Sequence, residues 1–271
     1  MPNIYVHSWE LLIWERWCNN MEFHIMDCIL PITWAVGIGT TIWLFRKGNV
    51  ENAANSSAAN REIPTADQTF NLMKCRRSIS PKDYVLGGNV SNHDLHRMLE
   101  AANWAPTHGK TQPWHYVILS GAPAIQRYLD FIGNWYTKRA DTIPEAKLSR
   151  VRTKHERLSE FWPEKVCHVA LIVMRRQALP DKRMPEWEEM CATACSVQNM
   201  HLMATSMGIG GYWSSQGWCK EAWESEDVKE YLNISQDDKL LGAFTIGEVD
   251  PSKKFRSTRR PILDTVEFRS N

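Results

Sequence analysis

Two basic clusters stand out in a chain that is otherwise close to neutral. Arg76-Arg77 runs straight into the hydroxyl of Ser78, and five of the eight residues from Lys253 to Arg260 are Lys or Arg. A guanidinium presents a planar fork of donors that matches phosphate oxygens, so two such clusters meeting in space would hold one phosphate. Left apart, the same residues would be two solvated patches, and the sequence leaves both readings open. A second chemistry-bearing stretch is Ala105-Pro106-Thr107-His108, followed by Gln112-Pro113-Trp114-His115-Tyr116. It gathers amide, imidazole and indole groups into one turn, which suits hydrogen bonding to the edge of a planar heterocycle. Taken singly, His108 and His115 are ordinary surface or core histidines. The glycine-rich run from Gly208 to Trp213 follows a helical stretch, whereas a phosphate-cradling loop precedes one, so by itself it is not a nucleotide fingerprint. Cys191 and Cys195 share a helix face at i, i+4 without a matching second pair, which reads as core packing rather than a metal site. No Ser/His/Asp, Cys/His or paired-carboxylate arrangement is visible, so no catalytic side chain is assigned.

The chain that must position these groups has 271 residues, with 32 Lys and Arg against 31 Asp and Glu, a formal charge of +1. That balance excludes a protein that binds nucleic acid through bulk positive potential. Hydrophobic residues at 43% and charged residues at 23% are the proportions of a globular chain and exclude disorder along the whole length. Seven cysteines, an odd number without metal-ligand spacing, point to a reducing compartment. Thirteen tryptophans are far more than a chain of this size ordinarily carries, which suggests flat aromatic packing around a cofactor or interfacial anchoring. Helical periodicity is expected over Thr69 to Cys75, His93 to Trp104 and Trp187 to Met207. Apolar and β-branched runs predict strands over His115 to Leu119, Val166 to Met174 and Leu240 to Val249, with a short terminal strand at Val266 to Phe268. The charged stretch from Pro144 to Phe161 predicts a solvent-facing helix, a lid or excursion. This irregular alternation implies an α+β fold with a mixed sheet.

The first part of the chain reads differently. Residues 28 to 45 run uncharged and are followed at once by Arg46-Lys47, long enough to span a bilayer as one helix, with Trp34 and Trp43 near the ends of the apolar belt. Residues 1–47 are therefore expected to form a membrane-anchoring segment. The excess of acidic residues before the span and the basic pair after it put the remainder on the cytoplasmic or an equivalent side. A buried core helix and a cleaved signal segment are the competing readings. Residues 48–68, rich in Asn, Ala and Ser, read as a flexible linker, and residues 69–271 as the main domain.

Over roughly residues 70 to 271 the motifs together resemble the nitroreductase family of FMN-dependent oxidoreductases, in its small bacterial-type subgroup. The resemblance rests on Arg76-Arg77-Ser78, on Ala105-Pro106-Thr107-His108 with Gln112-Pro113-Trp114-His115, on Pro185-Glu186-Trp187 opening the long helix, and on Gly208 to Ser215 closing it. It implies a mainly antiparallel sheet flanked by helices and a homodimer with exchanged C-terminal segments, its FMN sites built from both chains. By that similarity Arg76, Arg77 and Ser78 hold the phosphate, ribitol and ring edge, and Trp104, His108 and Gln112 approach a flavin, the first two that of the other subunit. Trp213, Ser214 and Ser215 line the flavin, and Arg259 or Arg260 adds a second phosphate contact. The implied activity is ping-pong hydride transfer from NADH or NADPH through FMN to small electron-poor acceptors, nitroaromatic or quinone-like. Two positions depart from the family pattern. Many members carry Lys or Arg where this chain has Ser80, and the subgroup often has Arg where it has Ser214, so the charge those residues bring must come from elsewhere or be lost.

Two other readings compete. One is a membrane-anchored reductive dehalogenase resembling iodotyrosine deiodinase, with Tyr136, Lys138, Arg139 and Glu145 on a lid that grips a zwitterionic substrate. The other is a flavin-binding module without turnover.

Overall fold

The computed structural model describes residues 63–269. The expected membrane segment at 28–45 and most of the expected linker lie outside the described residues. The first described helix, α1 (Ala66–Cys75), begins inside the stretch expected to be linker. Its Thr65 side chain accepts from the Gln68 backbone N–H while Gln68 reaches back to the Thr65 N–H, a reciprocal cap that fixes the start.

Ten further regular elements follow: α2 (Asn92–Asn103), β1 (Trp114–Ser120), α3 (Ala122–Thr137), α4 (Glu145–Lys165), β2 (His168–Met174), α5 (Glu186–Ser206), β3 (Ile209–Ser214), α6 (Lys220–Trp223), α7 (Glu226–Tyr231) and β4 (Lys239–Glu248). The four strands form one antiparallel sheet in the order β1-β2-β4-β3.

All seven residues of β2 are buried, because both faces of the sheet are covered. Side chains alternate across a strand, so Val169, Leu171 and Val173 join Ile125, Leu129 and Ile132 of α3 and Leu148, Leu158 and Trp162 of α4 on one side. Ala170 and Ile172 point the other way, into Met98 and Ala102 of α2, Val197, Met200 and Ala204 of α5, and Phe244 and Ile246 of β4. The α+β expectation with a mainly antiparallel sheet between helices is what the chain adopts.

Three expectations are corrected. The charged stretch is not a solvent-facing lid: α4 buries Leu148, Val151, Leu158 and Trp162 against α3 and the sheet. Those four fall on one helical face, and the abundant charges cover only the other. Residues 266–268 form no strand; Val266 and Phe268 are exposed, and β1 and β3, the sheet's two edges, take no further strand among the described residues. The membrane-anchored localisation is also corrected. Among the described residues no helix is long and apolar enough to cross a membrane.

Candidate functional site

The site is built where the end of α1 meets the edge strand β3. Arg76 caps α1, its N–H donating to the Leu72 carbonyl at 3.1 Å. The chain then runs alongside β3: Ser78 bridges Gly211 in parallel register, and the Ile79 N–H donates to the Gly211 carbonyl at 3.0 Å. Arg77 turns its guanidinium onto carbonyls, those of Arg76 at 2.8 Å and of Phe255 at 3.2 Å, and that of Lys74. The Phe255 contact spans 178 positions of sequence and draws the second basic cluster to the first. Arg259 comes close enough for its charge to act on Arg76, whose guanidinium is held below its ordinary pKa by burial first and then by the Arg259 and Arg77 charges. None of these three arginines joins an ion pair among the described residues. Arg76, with the Arg77 and Arg259 charges acting on it and no carboxylate paired to any of the three among the described residues, is a candidate cradle for an anion. Arg260 is exposed and makes no hydrogen bond among the described residues.

His201 of α5 braces this cluster from below. It was not among the expected site residues, since one histidine in a mostly apolar helix carries no local signal. Its Nε2 lies 2.9 Å from the Arg77 carbonyl and its Nδ1 3.5 Å from Arg76 Nη1. A carbonyl needs a donor and a guanidinium needs an acceptor, so these partners assign the neutral tautomer with the proton on Nε2. Burial, followed by the Arg76 charge, brings the imidazole from 6.5 down to about 4 against the opposing pull of the Arg77 carbonyl. The unfolded chain therefore takes up a proton at a higher pH than the folded one, and stability is lost as pH falls through 6.5 toward 4. That loss amounts to at most about 3 kcal/mol. We expect His201→Gln to flatten the melting temperature over pH 4 to 7, measured beside the parent protein; parallel profiles would show that His201 is not held neutral.

Trp213 is placed by a bulge in the neighbouring strand. The β2–β4 register shifts at Ile172/Val173, opposite Gly242, whose φ is +149°, and a Cβ at Gly242 would collide with the Trp213 indole. The indole N–H reaches the Leu241 carbonyl at 3.4 Å, leaving the ring partly exposed. Ser214 ends β3, its Oγ accepting from the Gln216 N–H at 3.3 Å, and Ser215 follows exposed.

Trp104, His108 and Gln112 form a separate group. Trp104 caps α2 and is 73% exposed. His108 Nδ1 lies 2.6 Å from Glu188 Oε2 on the first turn of α5, and the Gln112 N–H donates to Thr107 Oγ1 at 3.2 Å with φ of +44°. Glu188 and His201 are 13 residues apart on one helix, so this group sits about 20 Å from the arginine cluster. The structure thus brings together Arg76, Arg77, Ser78 and Arg259 beside the strand that carries Trp213 and Ser214, and leaves Trp104, His108 and Gln112 at the far end of α5.

The family model described as "Nitroreductase family" matches residues 73–248. A Haemophilus influenzae protein described as "Putative NAD(P)H nitroreductase" is 25% identical over 177 residues, 64% of this chain and 84% of that protein. A nitroreductase-like family protein from Bacillus cereus shares the fold with a TM-score of 0.57 at 22% identity, over 76% of this chain and 98% of its own. A nitroreductase with bound FMN from Bacteroides fragilis does so with a TM-score of 0.56 at 18% identity, over 75% and 99%. At these identities the structural likeness speaks for the fold, while the family match spans both the arginine cluster's first half and the whole sheet; the chain belongs to the nitroreductase family.

Proposed function

We propose that this protein is an FMN-dependent oxidoreductase that uses NADH or NADPH to reduce small electron-poor acceptors of nitroaromatic or quinone type, and that it works as a homodimer. The observation that carries this reading is the approach of Arg76, Arg77 and Arg259, none paired with a carboxylate, beside the strand that presents Trp213. The donor set fits the cofactor: converging cations for a phosphate, the Ser78 hydroxyl beside them, and an exposed indole for a planar ring. FMN, when bound, supplies the ring that takes and gives hydride. The chain's own share is to hold the phosphate at Arg76 and Arg259, to keep Arg77 and His201 as rigid supports of that cradle, and to leave one open face for donor and acceptor.

The 20 Å gap along α5 supports assigning Trp104 and His108 to a flavin on the partner subunit rather than to the one beside Arg76. The C-terminal stretch supports the same arrangement, with Ile262, Leu263 and Phe268 exposed at 71%, 67% and 81%. Such apolar side chains are suited to covering a second copy. Three of the four lid residues of the dehalogenase reading are engaged in intrachain contacts. The Tyr136 hydroxyl donates to Glu221 at 2.6 Å, Arg139 pairs with Asp227 over the Trp135 ring, and Glu145 pairs with Arg152.

The test is direct. The full chain, supplied with FMN and desalted, is expected to retain a flavin spectrum that bleaches on anaerobic NADH or NADPH and recovers on adding a nitroaromatic. Light scattering should give twice the 31.3 kDa chain mass. A protein that releases all FMN on desalting refutes the reading.

A further inference from the structure

The loop that carries His108 is built under strain. Gly109, Lys110 and Gln112 have φ of +58°, +55° and +44°, so two residues with side chains stand in the left-handed region within three positions. Such residues persist only where their surroundings over-determine them, and they collect at functional sites. The surroundings here do so. Thr107 Oγ1 lies 3.0 Å from Thr111 Oγ1 and accepts from the Gln112 N–H, while the Thr111 carbonyl accepts from Gln177 Nε2 at 2.8 Å. Met184 packs against Gly109 so closely that a Cβ there would collide with its Cε.

What this strain secures is the placement of one imidazole. The His108 side chain is 67% exposed, and its Nδ1 is held 2.6 Å from Oε2 of Glu188, itself only 24% exposed, across 80 positions of sequence. A carboxylate only accepts, so Nδ1 carries a proton whether the ring is neutral or charged. The other ring nitrogen, Nε2, has no hydrogen-bond partner among the described residues. Nε2 is therefore the atom at which a proton comes and goes.

The three carboxylates in the first turn of α5 are not equivalent. Glu186 pairs with Lys239 and the buried Glu189 with Arg176, both cations of fixed charge. Glu188 alone is given to a side chain that exchanges a proton with water. A lysine or arginine at position 108 would tie the loop to α5 equally well; an imidazole adds a mobile proton on the open side of the tie.

We propose that Glu188 is a positioning residue for proton delivery: it holds His108 with Nδ1 protonated, so that Nε2 gives a proton to the acceptor as that acceptor is reduced. The proposal rests on the flavin oxidoreductase reading above, which sets His108 at the flavin of the other subunit, and adds a proton source to it. Reduction of a quinone to a hydroquinone takes two electrons and two protons. Hydride from the reduced flavin brings both electrons and one proton to the quinone; His108 Nε2 supplies the second proton to the quinone oxygen, and water returns one to the ring. A nitro group going to nitroso needs the same single extra proton, with its oxygen leaving as water.

The test compares two acceptors. The FMN-loaded full chain, reduced anaerobically with NADH or NADPH, is mixed with p-benzoquinone or with ferricyanide, which takes single electrons and no proton. Glu188→Gln keeps the size of the side chain but offers a donor as readily as an acceptor, so it no longer fixes the ring. It is expected to lower the quinone rate at least about tenfold relative to the ferricyanide rate, and Glu188→Asp should restore most of that ratio. Combined with His108→Phe, Glu188→Gln should lower the ratio no further than His108→Phe alone, since Glu188 acts through the ring. Nitrogen-15 NMR of the histidine rings in the oxidised protein reads the position without turnover: the Nδ1-protonated form for His108 in the parent, a tautomer mixture in Glu188→Gln. Equal slowing toward both acceptors, or an unchanged His108 tautomer, overturns the proposal, and the oxidoreductase reading survives it as long as the parent flavin bleaches and recovers. A parent chain that is never reduced by either nicotinamide sinks both.

Discussion

Arg76→Gln is expected to weaken FMN binding by about 100-fold while leaving the FMN-free protein at least as stable as its parent. The two halves of this result come from one geometry. Arg76 is the cluster member whose guanidinium is least spent on protein: its contacts to Ser78 Oγ and His201 Nδ1 are long, at 3.4 and 3.5 Å. Arg77, by contrast, gives its donors to the carbonyls of Lys74, Arg76 and Phe255. A free guanidinium facing two like charges destabilises the empty cradle, and a neutral amide removes that repulsion without leaving a partner unpaired. An anionic ligand reverses the sign, because Arg76 and Arg259 then contribute charge-assisted contacts to the phosphate and the Arg77 charge behind them turns from repulsive to favourable. Fluorescence titration of FMN gives the affinity, and melting curves with and without FMN give the stability. Unaltered FMN affinity would show that the phosphate is held elsewhere; a much less stable FMN-free variant would show that Arg76 is structural.

Gly247→Ala is expected to destabilise the protein by about 3 kcal/mol, which for a domain of this size lowers the melting temperature by roughly 6 to 12 °C. Gly247 pairs with Gly210 across β4 and β3, and a Cβ there would run into the ring of Tyr84. That ring has nowhere to go. Tyr84 is 2% exposed, its hydroxyl donates to the Thr245 carbonyl at 3.0 Å, its N–H donates to the Pro81 carbonyl at 3.2 Å, and its backbone bridges Val249. The added methyl must displace the whole Pro81–Tyr84 turn, which continues directly from the Arg76–Ser80 stretch. FMN affinity should therefore fall together with stability, although Gly247 touches no candidate site residue. Calorimetry and FMN titration on the same sample check both. A variant within about 0.5 kcal/mol of the parent would mean that Tyr84 yields more readily than its three tethers indicate.

Much of the framework is legible locally. The strands expected at Val166 to Met174 and Leu240 to Val249 form as His168–Met174 and Lys239–Glu248, and the helix expected from Trp187 to Met207 forms as Glu186–Ser206. The two strands are mostly buried runs and the helix a long, largely apolar stretch, so each one's own composition carries the signal. The edge strand Ile209–Ser214 is not legible in that way. Gly210 and Gly211 lower its strand propensity, and it is a strand because those glycines admit Tyr84 and Phe244 against its backbone. The helix α4 misleads for the opposite reason: its surface charges outnumber the four residues that bury it, and only the position of α3 decides which face is inside.

The site divides along the same line. The sequence by itself determined the pieces: the Arg76-Arg77-Ser78 turn, the basic run from Lys253 to Arg260, the glycine-rich segment ending in Trp213, and through them the family. Residue type and short-range spacing are properties of the chain, so they survive without a fold. Whether the two basic clusters meet, that His201 stands beneath them in its neutral form, that the Trp104 group lies far down α5, and that Glu188 holds His108 were decided by the tertiary structure alone. Each of these depends on contacts between segments distant in sequence, up to the 178 positions between Arg77 and Phe255, and on the desolvation and mutual charge that only those contacts create.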